Sequence, residues 1–139
     1  MLTITGTDGL RARVGEELGV SSWYEVTQDR INAFAAATDD YEELHINPER
    51  AARTPWGKTI AHGLFTLALG PKFLYEIFTM EGHSLGLNYG FDKVRFIAPV
   101  PVGSRVRMRA RLAAVDEIDG GLRTHVEQTF EIEGQDKPV

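Results

Sequence analysis

Two residues with complementary acid and base chemistry, Asp40 and His45, stand five positions apart in the first half of the chain. We expect them to lie in a loop between two short helices. A loop there can turn both side chains inward. A carboxylate and an imidazole placed together can hold one water molecule and exchange protons with it. The spacing alone also fits a surface or capping role for Asp40 and a structural role for His45.

A second feature is Gly63, which opens a long apolar run. The first N–H groups of a helix have no partner within the helix and carry partial positive charge. A glycine there lets a carbonyl group approach the backbone closely enough to be polarised. The alternative is that Gly63 only eases a tight turn.

These residues need helices to position them. Three helices are predicted, the first two capped by Thr27 and Asn47: Gln28–Thr38, Pro48–Arg53 and Gly63–Met80. The third is apolar on nearly every side, which is typical of a buried helix. Its proline at Pro71 predicts a kink.

The second half of the chain changes to alternating apolar and polar residues, which indicates strands. The predicted strands are residues 85–91, 94–98, 105–112 and 124–132, with a hairpin turn at 119–121. Folding that hairpin sets three arginines opposite three glutamates as a surface charge ladder: Arg105 with Glu133, Arg107 with Glu131 and Arg111 with Glu127. Helices followed by antiparallel strands predict an α+β fold.

Composition narrows the class of protein. The 139 residues suit a single domain, and the absence of cysteine excludes disulfides, thiolate zinc sites and a cysteine nucleophile. A net charge of −5 without a basic amphipathic helix argues against nucleic acid or a membrane surface as partner. The N-terminus does not resemble a signal peptide and no apolar run approaches the ~20 residues of a spanning helix, so we expect a cytoplasmic protein.

Covering an all-apolar helix takes more than one small sheet, which favours a dimer.

These motifs together resemble a known family. The aspartate and histidine, the Pro48-initiated helix and the Ala61-His62-Gly63 opening of a long apolar helix are similar to the MaoC-like dehydratases, the (R)-specific enoyl-CoA hydratases. Residues 88–96 and 99–104 are similar to the branch named for nodulation protein N.

The resemblance implies a dimeric hot-dog fold, in which an antiparallel sheet wraps a long central helix across residues 1–139. It implies hydration of trans-2-enoyl-CoA to (R)-3-hydroxyacyl-CoA in fatty acid metabolism, with no metal and no other cofactor. Asp40 and His45 would be the catalytic pair, the Gly63 N–H would receive the thioester oxygen, and His62 and Asn88 would bind substrate. Relatives continue into a further strand, so the C-terminal strand is expected to be shortened.

Departures and alternatives remain. Asp39 stands where relatives often have glycine, and Glu42 and Glu43 replace more neutral residues; we expect all three to point outward. A hot-dog thioesterase would need a carboxylate on the central helix, where Glu76 is the only acidic residue. A non-catalytic acyl-CoA-binding module is the other alternative.

Contacts with the phosphate groups of CoA are expected from Lys58, Lys93 or Arg95. The spacing of the histidines is not a metal signature.

Overall fold

The computed structural model describes residues 1–139. Six helices and six strands follow one another along the chain: β1 (Leu2–Thr5), α1 (Gly6–Arg11), β2 (Glu17–Val20), β3 (Tyr24–Glu25), α2 (Gln28–Thr38), α3 (Glu43–Ile46), α4 (Pro48–Ala51), α5 (Gly63–Ala68), α6 (Gly70–Ile77), β4 (Phe78–Glu81), β5 (Arg105–Ile118) and β6 (Gly121–Ile132). The fold is therefore α+β, as the sequence predicts. None of the helices is both long enough and apolar enough to cross a membrane.

Strand β5 organises the larger sheet. It pairs with β2 and with β3 in antiparallel register and with β6 through the hairpin, and the residue partners include Glu17 with Arg111 and Tyr24 with Val106. A second sheet contains only β1 and β4, which run parallel. The hairpin turn lies at Asp119–Gly120, where Gly120 has φ +76°, so the predicted turn is confirmed.

The chain divides into two compact units, each built from three segments. The first contains Met1–Ser22, Pro71–Arg95 and Met108–Thr129, and the second contains Trp23–Gly70, Phe96–Arg107 and Phe130–Val139. Strands β5 and β6 each contribute residues to both units. The prediction of a single domain stays a prediction.

The first unit has an apolar core that includes Leu10, Phe73, Met108 and Leu112, none more than 1% exposed. Two arginines of β5 form ion pairs here: Arg111 with Glu127 at 3.1 Å and Arg109 with Glu17 at 2.7 Å. Since every second residue of β5 from Val106 to Leu112 is buried, the predicted alternation of apolar and charged faces is confirmed.

The second unit contains the helices that lead up to α5. Helix α2 has the predicted bounds, and the Thr27 side chain accepts a hydrogen bond from the Arg30 N–H. Helix α4 begins at Pro48 with the Asn47 side chain as its cap, but it ends two residues before the predicted Arg53. The remaining ladder pairs lie in this unit at 2.9 Å for Arg105 with Glu133 and 2.7 Å for Arg107 with Glu131.

The long apolar helix differs from the prediction. Leu69 separates α5 from α6 but keeps helical angles, φ −73° and ψ −12°, so the interruption before Pro71 is a single residue. The helix ends at Ile77 rather than Met80, because Phe78–Glu81 forms backbone pairs with β1. It is also not buried on every side, since Leu64 is 58% and Tyr75 is 76% exposed.

The predicted strands at 85–91 and 94–98 are wrong, because residues 82–100 contain no strand. Their alternating apolar side chains are mostly exposed, among them Leu85, Leu87 and Tyr89 at 74–80%. No strand of this chain pairs with residues 85–98, although the Ile97 N–H donates to the Val139 carbonyl oxygen at 2.9 Å.

Candidate active site

Asp40 lies directly after the C-terminus of α2. Asp39 has φ +57°, the only positive φ outside glycine, and this left-handed residue turns the chain away from the helix axis. Aspartate tolerates this conformation better than most residues, which explains how it can replace glycine here. The Asp40 N–H donates to the Ala35 carbonyl at 3.2 Å, and the carboxyl group is 50% exposed.

His45 lies on the helical turn α3 rather than in a loop, which corrects the expectation. Its Nδ1 is 2.7 Å from the Ile60 carbonyl oxygen, and because a carbonyl can only accept, Nδ1 carries the proton. The lone pair of the neutral ring is therefore on Nε2. The His45 backbone is also held, since Gln28 Nε2 donates to its carbonyl oxygen at 2.8 Å.

His62 immediately precedes α5 and is only 3% exposed. Its ring stacks on the His45 ring with centroids 3.8 Å apart and an interplanar angle of 29°. Its Nε2 donates to the Asp40 carbonyl oxygen at 3.0 Å and is 3.9 Å from the Asp40 carboxylate. One side chain thus contacts both members of the predicted pair.

The distances suit acid and base chemistry on water. Asp40, His45 and His62 each offer one nitrogen or oxygen atom, and these atoms lie within 4.8 Å of one another. A water molecule with hydrogen bonds of ~2.8 Å on each side can bridge two atoms so spaced. The structure therefore brings Asp40 and His45 close enough to share one water molecule. Asp39, Glu42 and Glu43 are exposed, as expected.

Gly63 is the first residue of α5, in contact with an aromatic ring. A Cβ atom added to Gly63 would lie 2.8 Å from Cδ1 of Phe96, too close for the ring to stay where it is. The Phe96 side chain is itself 56% exposed. A side chain at position 63 would therefore displace the Phe96 ring.

Two imidazoles and a carboxylate can also hold a divalent metal. Here Nδ1 of His45 and Nε2 of His62 already donate to backbone carbonyls. A shared metal ion would have to bind the opposite nitrogens, Nε2 of His45 and Nδ1 of His62, on two rings whose centroids are 3.8 Å apart. The present geometry therefore fits water better than a shared metal ion.

The other residues predicted for the site lie outside the cluster of Asp40, His45 and His62. Asn88 is exposed in the strand-free segment of the first unit, and its role in substrate binding stays a prediction, as do those of Lys58, Lys93 and Arg95. Glu76, the carboxylate that a thioesterase would need, accepts hydrogen bonds from Ser22 N and Oγ at 3.0 and 2.7 Å. Burial raises the pKa of Glu76, but the hydrogen bonds from Lys72 and Ser22 outweigh it and hold the pKa below its usual value. This carboxylate is already committed to neighbouring side chains.

Two residues near the site, Gln28 and Thr66, were not predicted from the sequence. Gln28 links His45 to Thr59, whose hydroxyl donates to Gln28 Oε1 at 2.5 Å. Thr66 is buried on α5, with a hydroxyl that has no hydrogen-bond partner. Gln28 looks in the sequence like an ordinary first residue of a helix, and Thr66 looks like a polar residue in an apolar run.

Known proteins are similar to this chain in sequence and in fold. The 3-hydroxyacyl-thioester dehydratase Z of Mycobacterium tuberculosis (strain ATCC 25618 / H37Rv) is 47% identical, covering 100% of this chain and 93% of the relative. Nodulation protein N of Rhizobium leguminosarum bv. viciae is 44% identical, covering 92% and 81%. The solved structure of an R-hydratase of Pseudomonas aeruginosa shares the fold, with a TM-score of 0.69, 21% identity and coverage of 91% of this chain and 75% of that one.

The fold and these relatives define an α+β hot-dog protein and a hydro-lyase, an enzyme that adds water to a double bond or removes it. The family model described as MaoC like domain matches residues 10–134. The chain belongs to the MaoC-like domain family, and the resemblance to its dehydratase and nodulation protein N branches is confirmed.

Proposed function

We propose that this hydro-lyase adds water to trans-2-enoyl-CoA to give (R)-3-hydroxyacyl-CoA and catalyses the reverse dehydration. The observation that carries the proposal is the Asp40 carboxylate within 4.8 Å of an imidazole nitrogen of His45, whose Nε2 is left with its lone pair. The name of the mycobacterial relative, a 3-hydroxyacyl-thioester dehydratase, supports an acyl thioester as the substrate.

The chemical step begins with water, which is a weak nucleophile. His45 Nε2 takes a proton from water as its oxygen bonds to the β carbon, and the proton passes through the Asp40–His45 pair to the α carbon. The atoms of one water molecule are thereby added across the double bond. Because both groups belong to one compact cluster, hydroxyl and hydrogen would be delivered to the same face of the alkene.

The carbonyl oxygen gathers negative charge when the β carbon is attacked. A backbone N–H at the start of α5, that of Gly63, would donate to this oxygen and stabilise the developing enolate. This role for Gly63, like a substrate contact from Asn88, belongs to the proposal, whereas the ring of His62 is already in contact with Asp40, His45 and Phe34. A homodimer as the working form is also part of it.

Substitution of the pair tests the proposal. Asp40→Asn and His45→Gln should each lower kcat at least ~100-fold, and the double variant should be little worse than the worse single one, because the two groups act together. Turnover is followed by loss of the ultraviolet absorbance of crotonyl-CoA. Longer enoyl-CoA substrates measured beside it would establish the acyl chain preference.

His83→Gln is the matched control, because His83 is an exposed histidine outside the site, and it should keep wild-type turnover. Near-normal hydration by both Asp40→Asn and His45→Gln would show that the assigned pair is wrong. Substrate binding without any turnover by the wild type would instead indicate a non-catalytic acyl-CoA-binding module.

A further inference from the structure

We propose that His62 is a positioning residue, which holds Asp40 and His45 in their reactive arrangement without itself exchanging a proton with the substrate. The inference rests on the proposed function, because it concerns how that same site is held. It starts from the contacts of the His62 ring, which meet Asp40, His45 and Phe34.

His45 is held in two independent ways. The hydrogen bond from Nδ1 to the Ile60 carbonyl oxygen, 2.7 Å, restrains rotation of the ring within its own plane. The stack on His62, 3.8 Å between centroids, restrains the ring from tipping out of that plane. Only the two together fix where the Nε2 lone pair points, and proton transfer depends steeply on that direction.

Asp40 is held through its backbone. The chain has just left α2 through the left-handed residue Asp39, and the Asp40 side chain is half exposed. The hydrogen bond from His62 Nε2 to the Asp40 carbonyl oxygen, 3.0 Å, anchors the peptide from which the carboxylate extends. The His62 ring therefore holds both the ring of the base, His45, and the backbone of the acid, Asp40.

The contacts also define the form of His62. Nε2 must carry the proton, because the Asp40 carbonyl oxygen can only accept. Nδ1 is buried with no hydrogen-bond partner, so a second proton there would meet no acceptor. The ring packs against Phe34 with centroids 5.0 Å apart, which leaves it little room to turn. A ring held by these contacts on Asp40, His45 and Phe34 is what a positioning role requires.

Two substitutions separate the two contacts. His62→Phe keeps a ring to stack on His45 but removes the donor to Asp40, and His62→Gln keeps a donor but removes the stack. Each should lower kcat by about 10-fold or more while KM stays within about twofold, since a small misplacement of reacting groups is costly. Circular dichroism and the melting temperature show that each variant is folded, and His62→Gln serves if His62→Phe is not.

The decisive comparison makes the His62 substitution in a protein that already lacks the base His45. In a His45→Gln background, His62→Phe should cause no further loss of the residual rate, because a positioning residue acts through the residue that it positions. Losses that multiply in the double variant, or full kcat in both single variants, would overturn the inference. A wild type with no turnover of enoyl thioesters would overturn the proposed function itself, and this role with it.

Discussion

At Gly63 a single methyl group would meet two different obstacles. The Phe96 ring occupies the space of a Cβ atom, and the proposed thioester carbonyl would approach the same residue. Backbone strain is not involved, because Gly63 does not have a positive φ. The two reasons for glycine can therefore be separated by removing the ring.

We predict that Gly63→Ala loses both stability and activity, and that a second change restores only stability. Overpacking against Phe96 should cost about 1 kcal/mol, because the exposed ring can move, and Phe96→Ala in the same chain should relieve it. Turnover should stay at least ~10-fold below that of Phe96→Ala alone, because the methyl group still hinders the carbonyl. Thermal unfolding and crotonyl-CoA turnover of the four proteins measure the two effects.

The Phe96→Ala single variant is the control, and it should keep substantial turnover. If Gly63→Ala/Phe96→Ala recovers the full turnover of that control, the glycine serves packing alone. The oxyanion role of Gly63 would then be abandoned.

The sequence could predict that Asp40 and His45 lie close together, but not which residues support them. Asp40 and His45 are near neighbours in the chain, so their spacing carries the information that brings them together. Phe96 reaches Gly63, and Thr59 reaches Gln28, across more than 30 residues. No local pattern records such contacts, because they arise only when separate elements pack.

At the scale of elements, His125 on β6 connects two other parts of the first unit. Its Nδ1 is 3.0 Å from the Asp92 carboxylate in the strand-free segment, and its Nε2 is 2.9 Å from the Asp116 carboxylate on β5. Both carboxylates accept, so the arrangement is complete only when both ring nitrogens carry protons. The hydrogen bond to Asp92 and then that to Asp116 raise the pKa of His125 above its ordinary value of 6.5.

We predict that the contact with Asp92 weakens as pH rises. A pKa raised in the folded state means that the protonated His125 adds stability below its unfolded pKa, and that this contribution is lost as pH rises through the folded pKa. Hydrogen exchange of residues around Asp92 should therefore become faster, beyond the ordinary pH effect, on the alkaline side of that pKa. Nuclear magnetic resonance titration of the His125 ring locates the transition.

Asp92→Asn is the matched variant, because it keeps the shape of the side chain and removes its charge. It should lower the measured pKa of His125 and abolish most of the pH-dependent change in exchange. An unchanged pKa in Asp92→Asn would show that this ion pair does not form in solution.

Elements that local signals define were predicted well, and those that depend on distant pairing were not. Helix α2 has a capping threonine and a helical apolar period, and its bounds matched. The β5–β6 hairpin has a glycine turn that matched, but β5 continues to Ile118 and β6 begins at Gly121, beyond the predicted residues 105–112 and 124–132. Phe78–Met80 continues the apolar pattern of α6, but pairing with β1 made it a strand. Residues 85–98 have a strand pattern without a partner strand in this chain.

At the scale of the whole molecule, that same segment leaves apolar surface exposed. Leu85, Leu87, Tyr89 and Phe91 are 55–80% exposed within seven residues of chain. Isolated exposed apolar residues are ordinary, but a contiguous group of large ones marks a surface that another molecule covers. The segment thus lacks a partner strand, and its large apolar side chains are mostly uncovered. A second copy of the chain would supply both the strand and the cover.

We predict a homodimer in which this segment is buried, with turnover confined to the dimer. Leu87→Asp places a charge where an apolar side chain would be covered, so it should shift the chain to a monomer in sedimentation velocity and reduce turnover sharply, with the circular dichroism spectrum retained. Val14→Asp is the matched control, because Val14 is also exposed, at 44%, but lies outside the segment. It should leave both the dimer and its turnover intact. A wild type that sediments as an active monomer at assay concentration would refute the dimer, and a dimeric Leu87→Asp would place its interface elsewhere on the surface.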